Sequence, residues 1–200
     1  MTNQTRRSAA DTREHILRTA ADLFYWTGLH ATGVDRIAAE AKVAPTTLYR
    51  SFPSKDELVA AYVRRVDEQT REWIEAAIQA APDNPRSAAL AVFEELPKRL
   101  APESYRGCAC QMTLAEYPDP TSAAHRDAVA AKVWLRDRFA ELLRPAGVDA
   151  DTLADRLLIL YEGALAAAQS TASAEPAVHA VAMAETLLDA AGVWEPRAAS

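Results

Sequence analysis

Cys108, Cys110 and His125 are the side chains of this sequence best suited to metal or redox chemistry, because thiolates and imidazoles are soft ligands. The cysteines are spaced C-x-C rather than C-x-x-C and have no evident fourth ligand, so no metal is expected. Free thiols often serve simply as small apolar groups, and a redox role for Cys108 and Cys110 stays as an alternative. Catalysis would need a nucleophile with a positioned base, a metal triad or a glycine loop that cradles phosphate. Six scattered glycines and four isolated histidines supply none of these, so neither an enzyme nor a cofactor is expected.

A second set of residues suits a polyanion. Thr46 and Thr47 carry small hydroxyl and methyl groups that can approach base edges, and Arg50 offers a donor fork to guanine or to a phosphate. Thr32 and Lys55 fall at expected helix N-termini, where free amides and the helix dipole favour an anion, and Lys42 adds charge beside them. The first 55 residues hold eight basic and five acidic side chains, a net +3, against -6 for the whole chain, which leaves -9 for the rest. A basic head on an acidic body fits nucleic acid at one end only, since the acidic body would repel a polyanion. Arg6 and Arg7 lie on an N-terminal arm that either enters a minor groove or is a solubilising tail.

These residues need helices to position them. Forty-four alanines against six glycines, with half the residues hydrophobic, favour an all-α chain with a real core. Asp11 with Glu14 reads as a capping box opening a first helix, and Gly28 as its stop. Thr32 with Asp35 repeats the signal for a short second helix, with Val34, Ile37, Ala38 and Ala41 as its apolar stripe. Lys42, Val43 and Ala44 form a tight connection to a third helix that Pro45 starts and Phe52-Pro53 breaks, a helix-turn-helix over about 34–53. Lys55 to about Ala80 reads as a long fourth helix capped by Ser54. Further helices are expected over 86–100, bent or ended near Pro97, then 105–116, 121–144, 151–171 and 176–191. The division expected is 1–55 for the head and 56–200 for the body. No secretory h-region and no long uninterrupted apolar run is present, so a cytoplasmic location is expected.

From about Thr12 to Tyr62 the chain resembles the DNA-binding head of the TetR family of transcriptional regulators. The resemblance rests on Phe24 and Gly28, Thr32 before Val34, Ile37-Ala38, Thr47-Leu48-Tyr49, Phe52, and Lys55 with Leu58. It implies that Tyr49 bonds a phosphate and that the contact segment includes Ala44, Pro45 and Ser51. Lys42 stands where the family usually has Gly, Ala44 where it often has Ser, and Ser51 where an aromatic residue or His is common. A lysine in a left-handed conformation costs on the order of 1 kcal/mol, and an alanine N-cap roughly as much again.

A single head reads few base pairs, so a specific regulator needs two. The resemblance implies a four-helix homodimer contact from the last two helices, read here onto Leu153, Leu157, Leu160, Ala164 and Ala168 with Val181, Ala184, Leu188 and Ala191. It also implies an effector pocket among the middle helices. Candidate lining residues are Trp73, Phe93, Tyr105, Cys108, Met112, Tyr117, His125, Trp134 and Tyr161, aromatic and sulfur groups with a few polar handles. The function expected is a ligand-responsive regulator, a repressor released from a palindromic operator in double-stranded DNA by a small apolar effector. The alternatives are the thiol-based sensor and a helical protein-interaction module without specific DNA binding.

Overall fold

Ser8 opens the first helix. Its hydroxyl accepts the Asp11 amide at 3.0 Å while the Asp11 carboxylate accepts the Ser8 amide at 3.2 Å, so two N-terminal donors are satisfied reciprocally. This corrects the expected Asp11 and Glu14 box: the serine three residues before Asp11 fills the N-cap and makes Asp11 its partner. Helix α1, Ala9–Thr27, buries Ile16, Leu17, Ala20 and Phe24. It stops at Gly28, whose φ of 107° with ψ of 154° lies outside the left-handed helical well, in a region closed to side chains.

The computed structural model describes residues 8–101 and 103–194, so Arg6 and Arg7 lie outside the described residues. The architecture is all-α. After α1 come α2 (Val34–Glu40), α3 (Pro45–Ser51), α4 (Lys55–Ala80), α5 (Pro85–Arg99), α6 (Ala109–Glu116), α7 (Ala123–Leu143), α8 (Ala150–Thr171) and α9 (Glu175–Ala190), with a 3-10 turn at Arg144–Ala146. Two readings of the later helices change. Helix α5 continues through Pro97, and α6 begins at Ala109 rather than Tyr105. None of the described helices is long and apolar enough to cross a membrane.

The chain forms two compact units. The first runs through Val66 and takes in Ala109–Ala128; the second holds Asp67–Cys108 and the chain from Val129 onward. The first unit therefore exceeds the expected 1–55 head, because the start of α4, all of α6 and the start of α7 belong to it. In the second unit Phe93 stacks on Phe139 at 5.7 Å between centroids and meets Tyr161 edge-on at 6.3 Å. Helix α9 packs on both α8 and α5. Arg138 grips Glu75 through two bonds of 2.7 and 2.8 Å, tying α7 to α4 within this unit.

Candidate nucleic-acid interface

Helix α3 is short, and what holds it is packing. Leu48 and Phe52 are each 1 % exposed, and α1, α2 and α3 pack on one another. The Arg13 guanidinium covers the Phe52 ring at 4.2 Å. With those two anchors inward, Pro45, Thr46, Tyr49 and Arg50 point to solvent, Tyr49 with 47 % of its surface exposed. Thr47 and Ser51 are half-buried, and the Ser51 hydroxyl donates to the Thr47 carbonyl at 3.1 Å, so that group is occupied within the helix.

The turn before α3 is built by backbone bonding. The Val43 amide donates to the Ala38 carbonyl at 3.0 Å and the Lys42 amide to Ala39 at 3.1 Å, the paired bonds of a Schellman stop on α2. That geometry needs a positive φ at the residue after the cap, and Lys42 supplies it at 53°. Its side chain is exposed beside α3. His15 on α1 braces the same corner: its Nε2–H donates to the Ala41 carbonyl at 2.8 Å, leaving Nδ1 to accept from Arg18 at 3.3 Å. Ala44 is the N-cap of α3 and makes no side-chain cap, and Pro45 follows at the first helical position.

Thr32 has a different role from the one expected. Its side chain is fully buried and its hydroxyl donates to the Gly28 carbonyl at 2.8 Å, so it braces the α1–α2 loop instead of offering its oxygen to a phosphate. Gly33 is the N-cap of α2. Lys55 is half-buried, and its ammonium donates to the His30 carbonyl at 3.3 Å, using one of its three donors. Ser54 caps α4 as expected, accepting the Glu57 amide at 3.1 Å.

Sequence reasoning missed the clamp on this loop. The Glu116 carboxylate at the end of α6 accepts the amides of Leu29 at 3.1 Å and His30 at 2.8 Å, and its carbonyl accepts the His30 Nε2–H at 2.6 Å. The His30 ring stacks on Tyr117 at 5.0 Å. The Tyr117 hydroxyl donates to Asp56 at 3.4 Å; burial, reinforced by that carboxylate, pushes its phenol up to about 12.

The nine pocket candidates do not form one set. Met112, Tyr117 and His125 lie in the first unit, where His125 Nδ1–H donates to the Tyr117 carbonyl at 2.8 Å. Phe93 and Tyr161 are buried core residues of the second unit. Trp73, Tyr105, Cys108 and Trp134 are half-buried against that core, with Arg99 over the Trp73 ring and Arg71 over Trp134. None of the nine lines the groove of about 580 Å³ bounded by Ile78, Pro82, Asn84, Ala88, Leu142 and Pro145.

Most of the expected dimerisation stripe is covered by the chain itself. Leu153, Leu157, Ala164, Ala168, Ala184 and Leu188 are buried in the second unit's own core, and Leu160, Val181 and Ala191 pack against it. The richest apolar face of each helix turns inward because it has the most surface to hide. The large apolar residues left outside on α8 and α9 are Ile159, Val178 and Met183, exposed by 71 %, 56 % and 56 %.

A short exposed helix carrying Thr46, Tyr49 and Arg50, braced across a tight turn by two others, is the architecture of a helix-turn-helix protein. Residues 16–62 match the sequence profile of the bacterial regulatory proteins of the tetR family. SCO4454, a TetR-family transcriptional regulator from Streptomyces coelicolor, is 33 % identical with a TM-score of 0.85, over 92 % of this chain and 90 % of that one. A TetR transcriptional regulator from Chloroflexus aurantiacus J-10-FL is 26 % identical with a TM-score of 0.78, over 90 % and 96 %. Among curated relatives, the HTH-type transcriptional regulator TcmR of Streptomyces glaucescens is 27 % identical over 143 residues, 70 % of this chain. The HTH-type transcriptional activator FasR of Mycolicibacterium smegmatis is 35 % identical over 72 residues, 36 % of this chain. The chain spans 62 % of the length of TcmR and 33 % of that of FasR in these matches. The chain belongs to the TetR family of bacterial regulatory proteins.

Proposed function

We propose that this protein is a homodimeric, ligand-responsive transcriptional regulator that binds a palindromic operator and works in the cytoplasm, where the DNA is. The observation that carries the reading is α3, which buries Leu48 and exposes Pro45, Thr46, Tyr49 and Arg50 beside the exposed Lys42. Thr46 contacts a base edge or methyl group, while Tyr49, Arg50, Lys42 and Lys55 hold phosphates. Ala44 and Pro45 bring the backbone of the first turn close to the duplex.

Dimerisation uses the outer faces of α8 and α9, not the expected Leu153 to Ala191 stripe. Ile159, Gly163 and Ala166 share one exposed face of α8, and Val178, Ala182 and Met183 share one of α9. A Cβ on Gly163 would meet nothing within 4 Å, so that face has room for a close helix. An isologous contact has two-fold symmetry, and two-fold symmetric heads read an inverted repeat. A small apolar effector in the second unit, against the half-buried Trp73, Tyr105 and Trp134, shifts the spacing of the heads and releases the operator, which makes the protein a repressor.

Selection of binding sites from random duplexes tests this directly. An inverted repeat with half-sites about 34–36 Å apart, or a multiple, is expected. Arg50→Ala should weaken binding with stability unchanged, and Ile159→Glu with Met183→Glu should give a monomer that binds about a hundredfold more weakly, since each head alone makes half the contacts. Recovery of no consensus site, or full affinity in the monomeric variant, would sink the reading.

A further inference from the structure

Within the second unit the Lys132 ammonium on α7 donates to Cys108 Sγ at 3.2 Å and to the Glu162 carboxylate on α8 at 2.7 Å. Lys132 and Glu162 keep 19 % and 24 % of their side-chain surface, and Cys108 is partly exposed. The other thiol, Cys110, is 6 % exposed in α6. None of these groups is among the DNA contacts proposed above.

We propose that Cys108 is a covalent modification site for α,β-unsaturated carbonyl compounds, with Lys132 as the proton donor. This goes beyond the regulatory reading and does not rest on it. An ammonium at hydrogen-bond distance stabilises the thiolate, the nucleophilic form of the sulfur. The thiolate attacks the β-carbon of the enone; the carbon–sulfur bond forms as the π bond breaks, and the electron pair moves to the carbonyl oxygen. The resulting enolate takes a proton from Lys132 Nζ and relaxes to the saturated ketone. The neutral amine recovers from water the proton that Cys108 gave up on ionising, while Glu162 holds it in place. The net change is addition of one thiol across one double bond, with no oxidant or reductant. The pair favours this class of electrophile because the new negative charge forms close to the attacked carbon, where the same ammonium that faces sulfur can meet it.

The test uses the full-length protein without DNA, treated with methyl vinyl ketone and in parallel with iodoacetamide, whose displacement needs no proton donor. Peptide mass mapping reads the rate at each cysteine. Cys108 should react with the enone at least about tenfold faster than free N-acetylcysteine at neutral pH, with Cys110 slower still. Lys132→Met should lower the Cys108 rate with both reagents. Lys132→Arg keeps a cation that does not give up its proton, so it should retain most of the iodoacetamide rate and lose about tenfold with the enone. Circular dichroism confirms that each variant is folded. A Cys108 rate equal to that of the free thiol, or an enone rate unchanged in both variants, would overturn the proposal.

Discussion

Replacing Lys42 by glycine should pull stability and DNA affinity in opposite directions. Lys42 sits at φ 53° because the stop of α2 requires it: the Val43 amide must reach Ala38 and the Lys42 amide must reach Ala39. An L side chain in that conformation costs roughly 1–2 kcal/mol. Glycine removes the strain but gives the unfolded chain extra freedom worth roughly 0.4–1 kcal/mol, so the net gain for Lys42→Gly lies at about 0–1.6 kcal/mol, centred near 0.8. Urea denaturation reads this as a higher midpoint at unchanged slope. Binding moves the other way. Each head of the proposed dimer loses one phosphate contact, so the slope of log affinity against log salt falls by about 1.8, which anisotropy titrations on the selected operator resolve. Lys42→Asn should behave like glycine on both counts, since asparagine tolerates the left-handed region and carries no charge. Lys42→Arg should change neither. A glycine variant that unfolds earlier refutes the strain argument, and an unchanged salt slope in both neutral variants refutes the phosphate contact.

Thr32→Val removes the buried hydroxyl that donates to the Gly28 carbonyl and should cost about 0.5–1.5 kcal/mol, which Thr32→Ser largely restores; DNA affinity measured well below the melting temperature should stay within about twofold. If affinity collapses while stability holds, the threonine touches DNA after all. Tyr117 predicts an alkaline transition. An unfolded phenol ionises near 10, whereas the folded one is pushed up to about 12, so the stability it contributes is complete below about pH 10 and is lost as pH climbs toward 12. The difference in melting temperature between wild type and Tyr117→Phe should therefore narrow over that window and be constant below it, as differential scanning calorimetry would register.

Local rules made the reading head legible. Pro45 is favoured at the first position of a helix, the four residues between Glu40 and Pro45 leave room for one tight turn, and Leu48 and Phe52 recur at helical spacing, so the turn and α3 follow from neighbours in sequence. Even the unfavourable conformation of Lys42 is a local consequence. Thr32 marks where local rules become ambiguous: a threonine before a helix can cap it or bond back to the preceding turn, and the choice depends on whether the side chain ends up buried. The Glu116 clamp was beyond reach because its partners stand 86 and 87 residues away, and a carboxylate at the end of a helix carries no mark of the loop it will hold.

Most of the stripe read for dimerisation is buried within the chain for a related reason. Periodicity in α8 and α9 announces an apolar face, and Leu153, Leu157 and Leu188 form the strongest one, but an amphipathic pattern says only that something covers that face. The chain itself covers it here. The face proposed for a second copy is the weaker one, where Ile159, Val178 and Met183 stand among alanines and Gly163. Such a face is diluted by small residues because a close helix pair needs them, so its signal in sequence is faint for the same physical reason that suits it to contact. Finding it required first knowing which leucines were already occupied.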